Sequence, residues 1–190
     1  MQRFLRKVRR CQLCELPLGP KPLLQATSSA KILIAGQAPG RRAHESGVPF
    51  DDASGDRLRA WLGVDRSVFY DQEQIAIVPM GFCYPGTGKG GDLPPRTECA
   101  DAWREPLLAR MPYIKLTVLI GLYAQRWHLG ERSGRTLTEN VAKWRQLWPQ
   151  VVSLPHPSPR NARWLAKHPE VEATILPAVR RRVQRLLSDR

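Results

Sequence analysis

The sequence predicts an α/β fold, a three-layer α/β/α sandwich built on a central four-stranded parallel sheet. Three observations support this prediction. Four short apolar runs rich in β-branched residues each end in Gly or Pro, as strands buried on both faces do. Segments of helical character separate these runs, and such alternation is typical of right-handed βαβ units. At 190 residues the chain is long enough for one complete hydrophobic core, so we expect a single domain over 1–190.

The predicted elements alternate along the chain. The strand runs are KILIAG at 31–36, QIAIVP at 74–79, LTVLIG at 116–121 and QVVSLP at 150–155. The segments around them predict helices at 54–63, 96–110, 122–129 and 136–147, with another starting near Ala162. The last predicted helix, 169–189, is basic and has an apolar stripe of Val171, Ile175, Val179, Val183 and Leu186. We also expect an N-terminal helix before Cys11.

The charge of the chain narrows its class of partner. The chain has 30 Lys and Arg against 17 Asp and Glu, a formal net charge of +13. This excess favours a polyanion, nucleic acid above all, over a basic surface that serves only solubility. No apolar run approaches the roughly 20 residues of a membrane-spanning helix, and the basic N-terminus lacks the apolar stretch of a secretory signal. We expect a cytoplasmic monomer that binds nucleic acid and not membranes.

The loops after the predicted strands are the expected place for a functional site. In an open parallel sheet, ligands bind outside the carboxyl ends of the strands. Three of these loops are rich in Gly, Pro and polar residues: GQAPGRRAHESGVPF at 36–50, MGFCYPGTGKGGDLPPR at 80–96 and LPHPSPRN at 154–161.

Together these loops resemble the uracil-DNA glycosylase superfamily, most closely its iron–sulfur, family-4-like bacterial members. GQAPG at 36–40 is similar to the first motif of that family, GEGPG or GEAPG, and GVPF at 47–50 is similar to its GxPF. HPSPRN at 156–161 is similar to the second motif, HPS or HPA. The resemblance runs from about Cys11 to the last helix. It implies a DNA repair enzyme that flips a damaged nucleotide out of the stack and hydrolyses its N-glycosidic bond.

The resemblance assigns roles to residues of the GVPF and HPSPRN segments. Phe50 would stack on the flipped base, and His156 would donate a hydrogen bond to the base as it leaves as an anion. Ser158 would contact a backbone phosphate, and the segment 159–161, which ends in Asn161, would press into the minor groove or the vacated stack. From the residues alone, Phe50 and His156 are also compatible with structural roles, and Ser158 and Asn161 with helix capping.

The first motif would act through its main chain. Gly36 allows close approach of the backbone, and the amides near Gln37 and Ala38 would hold the base or a phosphate. Some superfamily members have an aspartate at the position of Ala38, where it orients the attacking water or balances the cationic sugar, whereas family-4 members lack it. The group that replaces it is expected near Phe50. We favour Asp52 for this role. The alternatives are that the Asp52 carboxylate is only solvated, or that His44, Glu45 or Asp51 has the role instead.

Four cysteines form two pairs. Cys11 and Cys14 make a C-x2-C pair, and fifteen residues separate Cys83 from Cys99. Family-4 enzymes are similar in placing two such pairs at these positions, which implies a [4Fe–4S] cluster that joins loop 84–98 to the N-terminal helix. A zinc site is a distant second, since zinc ribbons pair two short C-x2-C units. Four unrelated core thiols and an empty vestige remain as further alternatives.

One departure from the family bears on the substrate. Family-4 enzymes have TNIVKC before the third cysteine, with an Asn that reads uracil, whereas this chain has VPMGFC and Pro79 at that position. Proline cannot provide both a donor and an acceptor. Gln37 is a possible substitute amide, and hypoxanthine and xanthine join uracil as candidate bases.

Three functions therefore remain open from the sequence. The first is a monofunctional DNA glycosylase, and the second is a non-catalytic DNA-binding iron–sulfur protein of the same fold. The third is an iron–sulfur or zinc protein that binds RNA or another acidic partner. The GxPF and HPS motifs favour the first, because a binding module has no need of a leaving-group donor.

Overall fold

The structure of the chain, a computed structural model, describes residues 1–188. Its strands are β1 (Ile32–Ala35), β2 (Ile75–Ile77), β3 (Thr87–Gly88), β4 (Gly91–Asp92), β5 (Leu116–Ile120) and β6 (Val151–Leu154). Four of them form a parallel sheet in the order β2-β1-β5-β6, and β3 pairs with β4 as a small antiparallel hairpin. The predicted α/β fold with a central four-stranded parallel sheet is confirmed, and every predicted run contains its strand.

Helices connect and cover the strands. The α-helices in residues 1–188 are α1 (Gln2–Arg9), α2 (Arg41–Ser46), α3 (Ala53–Leu62), α4 (Arg66–Phe69), α5 (Thr97–Leu108), α6 (Leu122–Leu129), α7 (Leu137–Ala142), α8 (Trp144–Leu147), α9 (Ala162–Lys167) and α10 (Leu176–Ser188). Short 3-10 turns form at Gly130–Arg132 and Pro159–Asn161, and a π-helical stretch, Val171–Ile175, leads into α10. No helix in residues 1–188 is long and apolar enough to cross a membrane.

The sheet is buried on both faces, as expected for parallel strands covered by helices. In β1, Ile32 and Ile34 face one hydrophobic core, whereas Leu33 and Ala35 face the other side. Helices α3, α4 and α7 to α10 pack on the first face, and α1, α5 and α6 pack on the second. This packing makes the three layers of the sandwich.

Several segments differ from the prediction. Helix α2 forms inside the predicted loop 36–50 between Gly40 and Gly47, and its six residues are too few to show a helical period. The helix predicted at 136–147 is interrupted at Lys143, whose ψ of 4° ends α7 before α8 begins. The β3–β4 hairpin lies inside the predicted loop 80–96, because two-residue strands leave no alternation to detect.

The C-terminal helix follows its prediction closely. Its first turn is π-helical and the rest is α10, so the helix begins two residues later than predicted. Residue 189, at the predicted end, lies outside the described residues. The predicted apolar stripe is buried along its whole length, at Val171, Ile175, Val179, Val183 and Leu186.

The segment before β1 joins the N-terminal region to β2. Gln25 forms an isolated antiparallel bridge with Ile77, and the amide of Leu23 donates to the carbonyl of Phe82. These contacts cover the outer edge of β2. They also bring the chain that follows Cys14 against the loop that contains Cys83.

Candidate active site

A cavity of about 420 Å³ lies where the three strand-end loops meet. Its wall combines the first motif, the turn before α3, the end of the β2 loop and the loop after β6. The structure brings to this cavity every residue predicted for catalysis or substrate binding: Gly36, Gln37, Ala38, Phe50, Asp52, His156, Ser158 and Asn161. Residues more than a hundred positions apart in the chain therefore face one enclosed space.

The rings of Phe50 and His156 lie side by side in this cavity. Their centroids are 6.4 Å apart and their planes differ by 27°. Phe50 also meets Phe69 edge to face, with 6.3 Å between centroids, which anchors its ring against the core. At this separation, both Phe50 and His156 are close enough to contact a single planar base.

Phe50 holds a strained backbone conformation. Its φ of 55° is in the left-handed region, which a bulky residue rarely adopts and which costs about 1–3 kcal/mol. The strain is possible because Gly55 lacks a side chain, since a Cβ there would lie 1.8 Å from the Phe50 carbonyl oxygen. At the tip of the Phe50 ring, a Cβ on Gly36 would lie 3.3 Å from the Cζ atom. The two glycines thus leave the space in which this ring is held.

A methyl group at Gly55 tests this packing. Gly55→Ala is expected to lower the free energy of unfolding by about 3 kcal/mol, because the new Cβ collides with main chain that cannot rotate away. Gly90→Ala is the matched control, since a Cβ on Gly90 meets nothing within 4 Å. Urea denaturation of both variants measures the difference, and equal stabilities would contradict the assignment.

His156 follows β6 directly and is enclosed by the cavity wall. Burial lowers the pKa of its imidazole, and the charges of Asp52 and Asp92 oppose that shift. The ring is therefore neutral at physiological pH and can donate one N–H without bringing a cation into the cavity. The Asn161 side chain restrains the loop that contains His156, since its Nδ2 donates to the His156 carbonyl at 2.7 Å.

Two other site residues have structural contacts of their own. The Oγ of Ser158 accepts from the Arg160 amide at 3.2 Å and caps the turn Pro159–Asn161. The Oδ1 of Asp52 accepts from the Gly55 amide at 2.9 Å and caps α3. The alternative expectation, that Ser158 and Asn161 cap the helix starting at Ala162, is wrong, because Ser158 caps the preceding 3-10 turn and the Asn161 side chain makes no cap hydrogen bond to α9. The side chains of Ser158 and Asp52 still line the cavity.

The other residues considered as replacements for the superfamily's aspartate lie outside the cavity. Glu45 pairs with Arg41 at 2.9 Å, and Asp51 pairs with Arg66 at 2.9 Å. His44 is buried beside Tyr84, with 5.8 Å between ring centroids. The cavity wall, as far as residues 1–188 form it, includes none of these three candidates.

Pro79, at the position that the resemblance matches to an Asn, offers the cavity no N–H, and its carbonyl is already hydrogen-bonded. Pro79 lines the cavity, and its carbonyl accepts from the Arg104 Nη1 at 2.8 Å. The same nitrogen donates to the Val78 carbonyl at 3.0 Å, so a fully buried guanidinium holds the end of β2. The amide of Gln37, the predicted substitute, donates to the Leu93 carbonyl at 3.2 Å. Its nitrogen is thus engaged with the neighbouring loop.

Arg104 is a buried charge that the sequence pattern did not reveal, because an Arg on an amphipathic helix is usually solvated. Its Nη2 lies 2.6 Å from the His128 Nε2, and its guanidinium stacks over Trp127 at 5.0 Å. Burial lowers the pKa of Arg104 to about 9, so the side chain remains charged at neutral pH. Burial and this neighbouring charge lower the pKa of His128 to about 3.

The Arg104–His128 contact predicts acid-sensitive stability. An unfolded histidine takes up a proton below about pH 6.5, whereas folded His128 does not until about pH 3, so stability falls as pH drops through this window. At pH 5 the loss from His128 is about 2 kcal/mol. The change His128→Gln keeps an acceptor for Arg104 without titrating. Urea unfolding at pH 7.5 and pH 5 is expected to give a smaller difference for this variant, and an unchanged difference would contradict the prediction.

The β3–β4 hairpin adds a residue that the sequence did not single out. Asp92, at the end of β4, lines the cavity beside Gly40 of the first motif. The hairpin is attached to the HPSPRN loop, because the Arg160 Nη1 donates to the Gly90 carbonyl at 3.0 Å. The only available signal in the sequence was that Asp92 lies in a strand-end loop.

The four cysteines line a second, smaller cavity of about 20 Å³. Cys99 is buried and its Sγ accepts from the Phe82 amide at 3.3 Å, while the Cys11 Sγ accepts from the Trp103 indole at 3.2 Å. Burial raises the pKa of Cys83 to about 11 and that of Cys99 to about 12. These thiols therefore stay protonated at neutral pH unless a metal displaces their protons.

The four cysteine thiols are chemically suited to hold an iron–sulfur cluster. Four thiols converge on one cavity, and N–H groups donate to two of the sulfurs, as around protein-bound iron–sulfur clusters. Within residues 1–188, no three His, Cys, Asp or Glu side chains are arranged to hold a metal ion. Ligands of a cluster stand further apart than those of a single ion, so this finding concerns single-ion sites and does not test a cluster.

The fold and the first cavity define a class of protein. Strand-end loops of a parallel sheet enclose an aromatic ring, an imidazole and two carboxylates, an arrangement suited to a small planar ligand. The family model of the Uracil DNA glycosylase superfamily matches residues 25–180. The chain belongs to this superfamily, which implies DNA binding and a repair function of the glycosylase type. The match begins after the first cysteine pair.

Proposed function

We propose that this protein is a monofunctional DNA glycosylase of base excision repair. It hydrolyses the N-glycosidic bond of uracil or another deaminated base in DNA. The main support is the near-parallel pair of rings, Phe50 and His156, 6.4 Å apart in one cavity. A stacking surface and a leaving-group donor are needed together only if a base is both bound and released.

The base reaches the cavity by flipping out of the stack, at a cost of a few kcal/mol. Stacking on Phe50 offsets part of that cost, at roughly 1–3 kcal/mol per base. The cavity volume of about 420 Å³ is within the range of small-ligand sites. The strained, tightly packed backbone of Phe50 keeps its ring in position before the base arrives.

His156 acts as the donor to the departing base. As the glycosidic bond stretches, negative charge develops on the base oxygens, and a fixed N–H aimed there stabilises the transition state more than the ground state. A neutral imidazole does this without repelling the sugar, which gains positive charge at the same time. The lowered pKa of His156 supports this protonation state.

Other cavity residues bind the nucleotide around this centre. Asp52 faces the sugar and balances its developing charge with the carboxylate oxygen that does not cap α3. The hydroxyl of Ser158 accepts from the Arg160 amide, which leaves its proton for a phosphate oxygen. Main-chain amides near Gln37 and Ala38 hold the base or a phosphate. The carbonyls of Gly36 and Gln37 accept from the amides of the next loop, which supports a rigid first motif.

The protein is, in this proposal, a family-4-like member with a [4Fe–4S] cluster. The thiols of Cys11, Cys14, Cys83 and Cys99 would hold it, and the shared cavity supports this set. The cluster supplies cross-linking of the chain, since hydrolysis of a glycosidic bond transfers no electron. It would join loop 84–98 to the segment that follows α1.

A second candidate function is a DNA-binding protein of the same fold without catalysis. One observation favours this function: two polar groups expected beside the base already form hydrogen bonds within the protein. The Pro79 carbonyl is bound to Arg104, and the Gln37 amide nitrogen is bound to the Leu93 carbonyl. A base would then be read mainly by shape and by the main chain of the first motif, which relaxes discrimination by about 1–3 kcal/mol.

An excision panel tests the proposed function. Single- and double-stranded oligonucleotides containing uracil, hypoxanthine, xanthine or mismatched thymine are incubated with the protein, and abasic sites are detected by alkaline cleavage. Release of at least one deaminated base, with an undamaged oligonucleotide left intact, is the expected result. Binding of every oligonucleotide without release of any base would favour the non-catalytic function.

A further inference from the structure

Asp92 is held against the first motif at the mouth of the cavity. A Cβ on Gly40 would lie 3.3 Å from the Asp92 Oδ2, so the carboxylate packs closely against the first motif. Its negative charge acts on His156, whose pKa it raises against the larger effect of burial. The carboxylate and the imidazole therefore face the same space.

The hairpin that bears Asp92 is held at several points. The Arg160 Nη1 donates to the Gly90 carbonyl at 3.0 Å, and the Gln37 Nε2 donates to the Leu93 carbonyl at 3.2 Å. Gly91 has a φ of 121°, and a Cβ there would lie 1.9 Å from the Arg160 Nη1. These contacts fix the turn beside Asp92 to two loops of the cavity, 36–40 and 156–161.

Asp92 differs from Asp52 in what its oxygens already bind. The Asp52 Oδ1 accepts from the Gly55 amide at 2.9 Å as the cap of α3, which restrains the movement of this carboxylate. In residues 1–188, no hydrogen-bond donor or cation pairs with the Asp92 carboxylate. An exposed, unpaired carboxylate at the mouth of a cavity can take up a proton from water that enters with the substrate.

We propose that Asp92 is the catalytic base that activates the attacking water, a proposal that rests on the glycosylase function above. The bond between C1′ and the base nitrogen breaks, and its electron pair leaves with the base, whose oxygen receives a hydrogen bond from His156. The water oxygen bonds to C1′, and the proton of the water passes to Asp92. The base anion is then protonated by solvent, and Asp92 returns its proton to solvent.

Matched carboxylate variants test this role. Asp92→Asn is expected to slow single-turnover excision by about 10²–10⁴-fold on an oligonucleotide that the wild type cleaves, with DNA affinity and melting temperature unchanged. Asp101→Asn, an exposed change on α5 outside the cavity, is the control and is expected to match the wild type. Asp52→Asn is compared in the same assay and is expected to lose less activity than Asp92→Asn.

Chemical rescue separates a catalytic from a structural role. Formate is expected to raise the excision rate of Asp92→Ala in proportion to its concentration, and to leave the wild type and Asp101→Asn unchanged. Excision by Asp92→Asn within twofold of the wild type would overturn the proposal, as would a lost activity that formate does not restore. If the wild type cleaves nothing in the panel, the glycosylase function fails first, and the two failures are thereby distinguished.

Discussion

His156→Ala is expected to slow base release by roughly 10²–10³-fold while the affinity for DNA stays within about twofold. The physical reason is the loss of one oriented donor from the cavity that would hold the base. There, a fixed dipole stabilises developing charge more than solvent does. Binding is expected to survive, because the phosphate contacts and the +13 net charge do not involve the imidazole.

The experiment compares two histidines. His168→Ala is the matched control, because His168 lies outside the cavity and pairs with Glu170 at 3.0 Å. Single-turnover excision gives the rate, fluorescence anisotropy gives the affinity, and thermal unfolding reports integrity. A parallel loss of rate, affinity and melting temperature in His156→Ala would mean that the imidazole is structural.

Replacing Cys99 by alanine is expected to remove a bound cluster and to lower the melting temperature by about 4–20 °C. The range follows from about 2–5 kcal/mol for a cross-link that closes a long loop, at about 2–4 °C per kcal/mol for a chain of this length. Excision is expected to fall as well, because Cys83 and Cys99 bracket the hairpin that brings Asp92 to the cavity. Anaerobically purified wild type is expected to be brown and to contain iron and sulfide.

Metal analysis distinguishes the possible outcomes. Lys89→Ala, an exposed change in the same loop, is the control and is expected to keep the full iron content. Stoichiometric zinc without iron would replace the cluster by a zinc site of the same four thiols. A wild type free of metal, with a melting temperature that Cys99→Ala does not alter, would leave the four cysteines as ordinary packing residues.

The fold was predictable because its signals are local. Each strand of the sheet is a short apolar run ending in Gly or Pro, and its short length, β-branched residues and flanking Gly or Pro distinguish it from a buried helix. The stripe from Val171 to Leu186 has helical spacing, and it is buried. The two-residue strands of the hairpin and the six residues of α2 are shorter than the window in which periodicity can be measured.

Phe50 and His156 were predictable for a different reason. Both follow strands of one parallel sheet, whose carboxyl ends meet at a single edge, so their motifs identified a common site before any distance was known. The left-handed backbone of Phe50 was not predictable. It depends on the space beside Gly55, and a sequence does not indicate which glycine faces which carbonyl.

By itself, the sequence determined the order of the four sheet strands and of the longer helices, the loops that could meet, and the residues predicted to bind and release a base. The tertiary structure alone decided that Arg104 engages the Pro79 carbonyl, that Gln37 is tied to Leu93, and that Asp92 lines the same cavity as His156. The physical reason is the distance along the chain over which each kind of interaction acts. Periodicity and turn chemistry act between near neighbours in the chain, whereas these contacts join segments tens of residues apart and exist only once the packed layers bring them together.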